Sequence, residues 1–212
     1  MVDLAGTIQT LAVSIPVFLL ALTIHEFAHA WVANRLGDPT ARLQGRLTLN
    51  PLAHLDPIGT LAIVLINFGW ARPVPVDSRY LKNPRRDMVL IAAAGPASNM
   101  LLAAVSAFCY RMIPWEAASL EWAWLAAPVR AMLRTGVLVN VVLAVFNLLP
   151  VPPLDGGRVL SGLLPLRQAI TYSRLEPYGF LIIFFLFFTG IIDPVFGVAV
   201  RTLTRALVLM WG

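Results

Sequence analysis

The apolar residues of this chain fall in long blocks. They do not form the one-sided stripes of a soluble helix or the alternation of a half-buried strand. The first block, residues 6–34, is long enough for a helix to cross a bilayer. Pro16 lies inside it, and Arg35, Gly37 and Pro39 end it. Further blocks cover 87–113, 131–149 and 177–192, the last broken by Asp193-Pro194. A final run, 195–211, either spans or lies flat, because Arg201 and Arg205 interrupt it. Residues 114–130 read as a loop whose Trp115, Trp122 and Trp124 suit a membrane surface.

The stretch between the first two blocks has a different character. Residues 40–56 are polar and turn-rich, and Arg46 to Asn50 alternates as a strand would. Residues 57–69 are apolar but fall short of the ~20 needed to span, which predicts a re-entrant or interfacial piece. Residues 70–76 read as extended, with prolines suited to a sheet edge. Such an edge offers a way to hold a bound peptide by strand addition. The pattern predicts an α-helical integral membrane protein of five to six membrane segments, built as one domain over residues 1–212.

Composition agrees. Hydrophobic residues make up 58%, charged residues 13%, and mean hydropathy is +0.77; soluble domains carry roughly 25% charged residues. The net charge of +5 comes with no basic cluster interleaved with aromatics, which argues against nucleic acid as a partner. A single cysteine, Cys109, excludes an internal disulfide and a thiolate zinc cluster. The first apolar run lacks a basic leader and carries the chemistry described next, so it does not read as a cleaved signal.

That chemistry is His25-Glu26-Phe27-Ala28-His29. Residues four apart share one helix face, so both imidazoles can grip one metal ion while the intervening glutamate activates water. The plainer alternative is a pair of hydrogen-bonded helix histidines. It is weakened by the setting, since each ionisable group in a membrane helix costs about 2.5–3.5 kcal/mol on insertion scales. Catalytic zinc takes three protein ligands and leaves a fourth position open. For the third, Asp155 is the best placed, just past the proline break that ends 131–149; His54 competes.

Topology discriminates. If 57–69 re-enters without crossing, His25, His29 and Asp155 meet near one face; if it crosses, Asp155 ends ~30 Å away. In the re-entrant arrangement Arg35, Arg42, Arg46, Arg72, Arg79, Lys82, Arg85, Arg86, Arg158, Arg167 and Arg174 share one side, eleven of the sixteen basic residues. The positive-inside rule makes that side cytoplasmic. The expected location is therefore the cell membrane, multi-pass, with a site inside the bilayer reached from the cytoplasm.

With these motifs in view, the chain resembles the site-2 protease family of intramembrane zinc metalloproteases. The resemblance rests on His25–His29, Gly45-Arg46-Leu47-Thr48-Leu49-Asn50-Pro51, Gly95-Pro96-Ala97-Ser98-Asn99 and Pro153-Leu154-Asp155-Gly156-Gly157-Arg158. It is closest to the small form without a PDZ or CBS domain. It implies one zinc per chain on His25, His29 and Asp155, with Glu26 as catalytic acid and base. It matches Asn147 to an active-site asparagine, for which an interhelical hydrogen bond is the alternative; Asn99 and Asn140 read as structural. It further implies a three-helix catalytic core, a membrane-associated β-rich hairpin over 42–76, and transmembrane protein substrates within the lipid bilayer. Gly156-Gly157 is expected to supply a tight turn that brings Asp155 to the metal. The rival readings are a non-proteolytic membrane metal-binding protein and a metal transporter. The absence of an internal repeat disfavours the transporter.

Overall fold

A computed structural model describes residues 4–59, 71–115 and 122–209. Three long helices form its centre: α1 (Leu4–Arg35), then, after the short α2 (Thr40–Leu43), α3 (Pro84–Met112) and α4 (Ala123–Asn147). Shorter helices follow: α5 (Asp155–Leu163), α6 (Leu166–Ser173), α7 (Gly179–Phe188) and α8 (Asp193–Leu209). Four stretches are long and apolar enough to cross a membrane: Gly6–Arg35, Pro84–Met112, Trp124–Asn147 and Leu166–Phe188. The last joins α6 and α7, so the fourth apolar block begins earlier than its composition indicates. Of the 195–211 run, residues 195–209 are helical within α8, which packs on α4 but is not among the four; residues 210–211 lie outside the described residues.

Side-chain size is distributed inside out. The buried positions of the three central helices are mostly small, including Ala21, Ala30, Ala33, Ala92, Ala103, Ala107 and Ala144. Large apolar residues such as Ile15, Leu101, Phe108 and Leu138 face outward. Lipid removes the reason to hide a leucine, and close backbone approach becomes the source of helix adhesion. Gly136 illustrates this: a Cβ there would lie 3.0 Å from Ser106 Oγ.

Cross-helix pairings fix the directions. His29 bonds Ile91 and His25 bonds Asn99, so α3 runs antiparallel to α1. Asn99 reaches Asn140 and Ser106 lies against Gly136, so α4 is antiparallel to α3. The end of α1, the start of α3 and the end of α4 therefore lie at one end of the bundle. Residues 36–83 leave and rejoin that end without a net crossing. Of the proposed re-entrant piece, residues 60–69 lie outside the described residues.

The β-rich hairpin is not seen among the described residues. They contain one isolated antiparallel bridge, Leu55 with Ala71, and a bond from the Arg72 amide to the His54 carbonyl at 2.9 Å. Residues 47–49 are bends, not a strand. Local bonds outcompete a ladder there: Thr48 Oγ1 accepts the Asn50 amide and Asn50 Oδ1 accepts the Leu52 amide. Pro73 and Pro75 remove donors on the other side, leaving residues 71–77 as an irregular strap. The 114–130 loop is shorter than expected, since α4 begins at Ala123 and continues through Pro128, as membrane helices tolerate. Residues 116–121 lie outside the described residues.

With Cys109 replaced, single cysteines placed at 72–86 should react with an impermeant maleimide from the same side as cysteines at 158–174. Labelling from opposite sides would contradict the antiparallel order.

Candidate metal centre

His25 and His29 sit six or more residues inside the end of α1, about 9 Å or more from it at 1.5 Å per residue. Asp155 opens α5, after the proline-broken turn that follows α4. The three side chains meet although more than 120 residues separate them in sequence. His25 Nε2 lies 3.0 Å from His29 Nε2 and 3.1 Å from Asp155 Oδ2; His29 Nε2 lies 3.3 Å from the same oxygen. All three residues are buried.

The outer bonds of the rings decide what faces inward. His25 Nδ1 donates to Asn99 Oδ1 at 2.6 Å, and His29 Nδ1 donates to the Ile91 carbonyl at 2.7 Å. Asn99 has its carboxamide orientation set, since its Nδ2 donates to the Ala21 carbonyl and to Asn140 Oδ1. Asn140 is anchored in turn on the Gly136 carbonyl. With both Nδ1 atoms protonated, the neutral rings present bare lone pairs at Nε2. Asp155 Oδ2 then has no donor and is a buried oxygen without a hydrogen-bond partner.

Two nitrogen lone pairs and a carboxylate oxygen packed this closely form a donor set that could hold a cation. A tetrahedral zinc at about 2.0–2.1 Å from each would hold them roughly 3.3 Å apart. The observed triangle fits that demand, and so does the donor set of two imidazoles and a carboxylate. Gly95 completes the cradle: a Cβ on it would overlap His29 Nε2 and lie 2.6 Å from His25 Nε2. Glu26 is buried beside the histidines, and its Oε2 accepts the Val74 amide at 3.2 Å.

The other sequence-predicted residues fall as follows. His54 is fully buried, donates from Nε2 to the Thr48 carbonyl at 2.9 Å and does not join the cluster. Asn147 donates to the Leu143 carbonyl of its own helix at 3.0 Å. Gly156 and Gly157 are helical and lack positive φ; they permit close packing on residues 148–152, not a left-handed turn. A Cβ on Gly156 would lie 2.5 Å from the Leu149 carbonyl oxygen. Asn99 does more than hold helices together, because it fixes the His25 tautomer. The available signal was a carboxamide more than three turns from either helix end inside an apolar block.

An H-E-x-x-H helix and a distant carboxylate converging inside a helix bundle define a membrane zinc metalloprotease. The chain belongs to peptidase family M50, the site-2 protease family, whose model matches residues 13–190. A relative in Bacillus subtilis (strain 168), named "Putative zinc metalloprotease YwhC", is 44% identical over 81% of this chain and 78% of its own length. "Putative zinc metalloprotease Rip2" of Mycolicibacterium smegmatis is 32% identical over 81% of this chain and 65% of its own length. Rip2 of Mycobacterium tuberculosis (strain ATCC 25618 / H37Rv) is 31% identical over 86% and 73% respectively. No solved structure matches the chain.

Asn99→Ala should weaken zinc binding by about 10- to 100-fold, the usual loss for a partner that orients a ligating histidine. Gly95→Ala should weaken it further by displacing both rings. Competition with a chromogenic chelator measures both.

Proposed function

We propose that the protein hydrolyses peptide bonds within or near transmembrane segments of other proteins, using zinc held by His25, His29 and Asp155. The observation that carries this reading is the buried triangle of proton-free donor atoms next to Glu26, inside a bundle whose outer surface is lipid-like. Zinc, when bound, supplies Lewis-acid polarisation of the scissile carbonyl and acidifies water. Glu26 takes the proton from the attacking water through its carboxylate and delivers it to the leaving amine nitrogen as the C–N bond breaks. Asn147 retains a second amide N–H beyond its bond to Leu143, which serves the developing oxyanion. Burial of the site excludes bulk water and strengthens each of these interactions.

Substrate approaches through a cavity of about 540 Å³ lined by Val74, Val76, Pro152, Pro153, Arg158 and Tyr172. It adjoins the turn that presents Asp155. Strand addition along the strap is poorly supported. Of the three amides in residues 72–76, Arg72 is bonded to His54 and Val74 to Glu26, which leaves Val76. The strap serves better as a wall. The basic residues near the site's end of the bundle support an opening on the cytoplasmic side of the cell membrane.

Glu26→Gln should retain one equivalent of zinc and lose at least about 100-fold in cleavage of a model transmembrane peptide. Metal analysis beside a cleavage assay tests this, and near-normal turnover in the mutant would refute the role. A chelator should abolish wild-type cleavage and added zinc restore it.

A further inference from the structure

We propose that Arg46 and the backbone amide of Val74 form a positioning device for Glu26. The inference rests on the reading of Glu26 as the group that moves the proton. Val74 lies between Pro73 and Pro75, so its N–H is the single backbone donor of that tripeptide. That donor is buried and directed at Glu26 Oε2, 3.2 Å away. Proline at 75 also restricts Val74 to extended backbone, which leaves the N–H little freedom to turn aside.

The strap that carries this amide is fixed at successive points. The Arg72 amide donates to the His54 carbonyl at 2.9 Å, and the Asp77 amide donates to buried Asp38 Oδ2 at 2.8 Å. The Val74 side chain packs against Ala30 of α1, one turn beyond Glu26, and against Ala41 of α2. Between these points the Arg46 guanidinium donates to the Arg72 carbonyl at 2.5 Å and, more weakly, reaches the Pro73 carbonyl at 3.5 Å.

Arg46 is costly where it sits. It is buried, and its Nε has no hydrogen-bond partner; a charged group is seldom kept in that condition without a role. Burial, then the charge of Arg72, pushes its pKa below the ordinary arginine value, while Glu26 opposes the shift. The guanidinium is linked to the Glu26 carboxylate through the strap, whose carbonyls it holds just before the amide that meets Glu26. Arg46 holds the strap's carbonyls from one side, so the next amide meets Glu26 on the other. With Oε2 held, the carboxylate keeps one rotamer and Oε1 remains for the proton.

The test uses the full chain in lipid nanodiscs, loaded with one equivalent of zinc and given a model transmembrane peptide. Val74→Pro removes the N–H while keeping an extended strap. It should lower kcat by about 10- to 100-fold, as expected for loss of a hydrogen bond to a charged group, with KM and zinc content little changed. Arg46→Gln should lower kcat similarly, and Arg46→Lys, which keeps a charged donor, should recover much of it. Unchanged or faster turnover in Val74→Pro overturns the proposal, the faster case showing the contact to be a brake. So does a rise in KM alone, or failure of lysine to rescue. Hydrogen exchange gives a readout independent of turnover. Peptides spanning 72–76 report the Arg72, Val74 and Val76 amides, and Glu26→Ala should speed exchange at Val74. Unchanged exchange overturns the proposal even where Val74→Pro fails to fold. Glu26→Gln run alongside judges the hydrolase reading separately: if wild type and Glu26→Gln cleave equally, that reading fails while the exchange result still stands.

Discussion

Everything in this structure depends on keeping three electron-rich atoms in mutual contact where water cannot separate them. Two imidazole nitrogens and a carboxylate oxygen within 3.0–3.3 Å repel one another unless a cation lies among them. In a medium of low dielectric that repulsion is weakly screened. The protein resists it with geometry. Asn99 and the Ile91 carbonyl hold the outer ring nitrogens, so neither ring can rotate to relieve the strain without losing a buried hydrogen bond. The bundle thus holds the three atoms in a geometry that suits a divalent ion.

Such a centre demands backbones that approach closely, and this explains the small residues at the helix contacts. Gly95 lets α3 pass directly behind both histidines. Gly156 and Gly157 let α5 seat on residues 148–152 and so fix where Asp155 begins. Neither feature stabilises the fold through bulk. In lipid the adhesion between helices comes from packing and interhelical bonds, and here the Asn99–Asn140 pair provides both adhesion and the His25 tautomer. Metal binding and helix association are the same contacts viewed from two sides.

Much of this was legible in the residue order, for identifiable reasons. Period-free apolar blocks mark spans directly, and a four-residue histidine spacing survives any tertiary context because the helix imposes it. Asp155 stood ahead of His54 because it follows the proline break at a helix end, the charge bias of the loops agreed with the topology this needs, and the structure places Asp155, not His54, with the two histidines. What could not be read was local competition. Arg46 to Asn50 alternates like a strand, yet Thr48 and Asn50 satisfy nearby amides with their own side chains and the segment bends instead. The role of Asn99 was equally hidden, because a carboxamide in a membrane helix looks the same whether it holds a neighbour or a ligand. The glycines after Asp155 suggested a turn, whereas the structure needs their missing side chains and not their backbone freedom.

The strap shows how a base can be aligned by a backbone amide, with Arg46 holding the strap's carbonyls and not the carboxylate itself. A backbone amide offers a fixed partial charge that cannot titrate, and prolines on both sides leave it the sole donor at that point. The same residue lines the cavity while its amide faces Glu26. The cavity lining is therefore mechanically continuous with the Glu26 carboxylate through Val74. An arrangement that held Glu26 from within α1 alone would have no such link. This accounts for an irregular, proline-rich stretch, in place of a regular strand, beside Glu26.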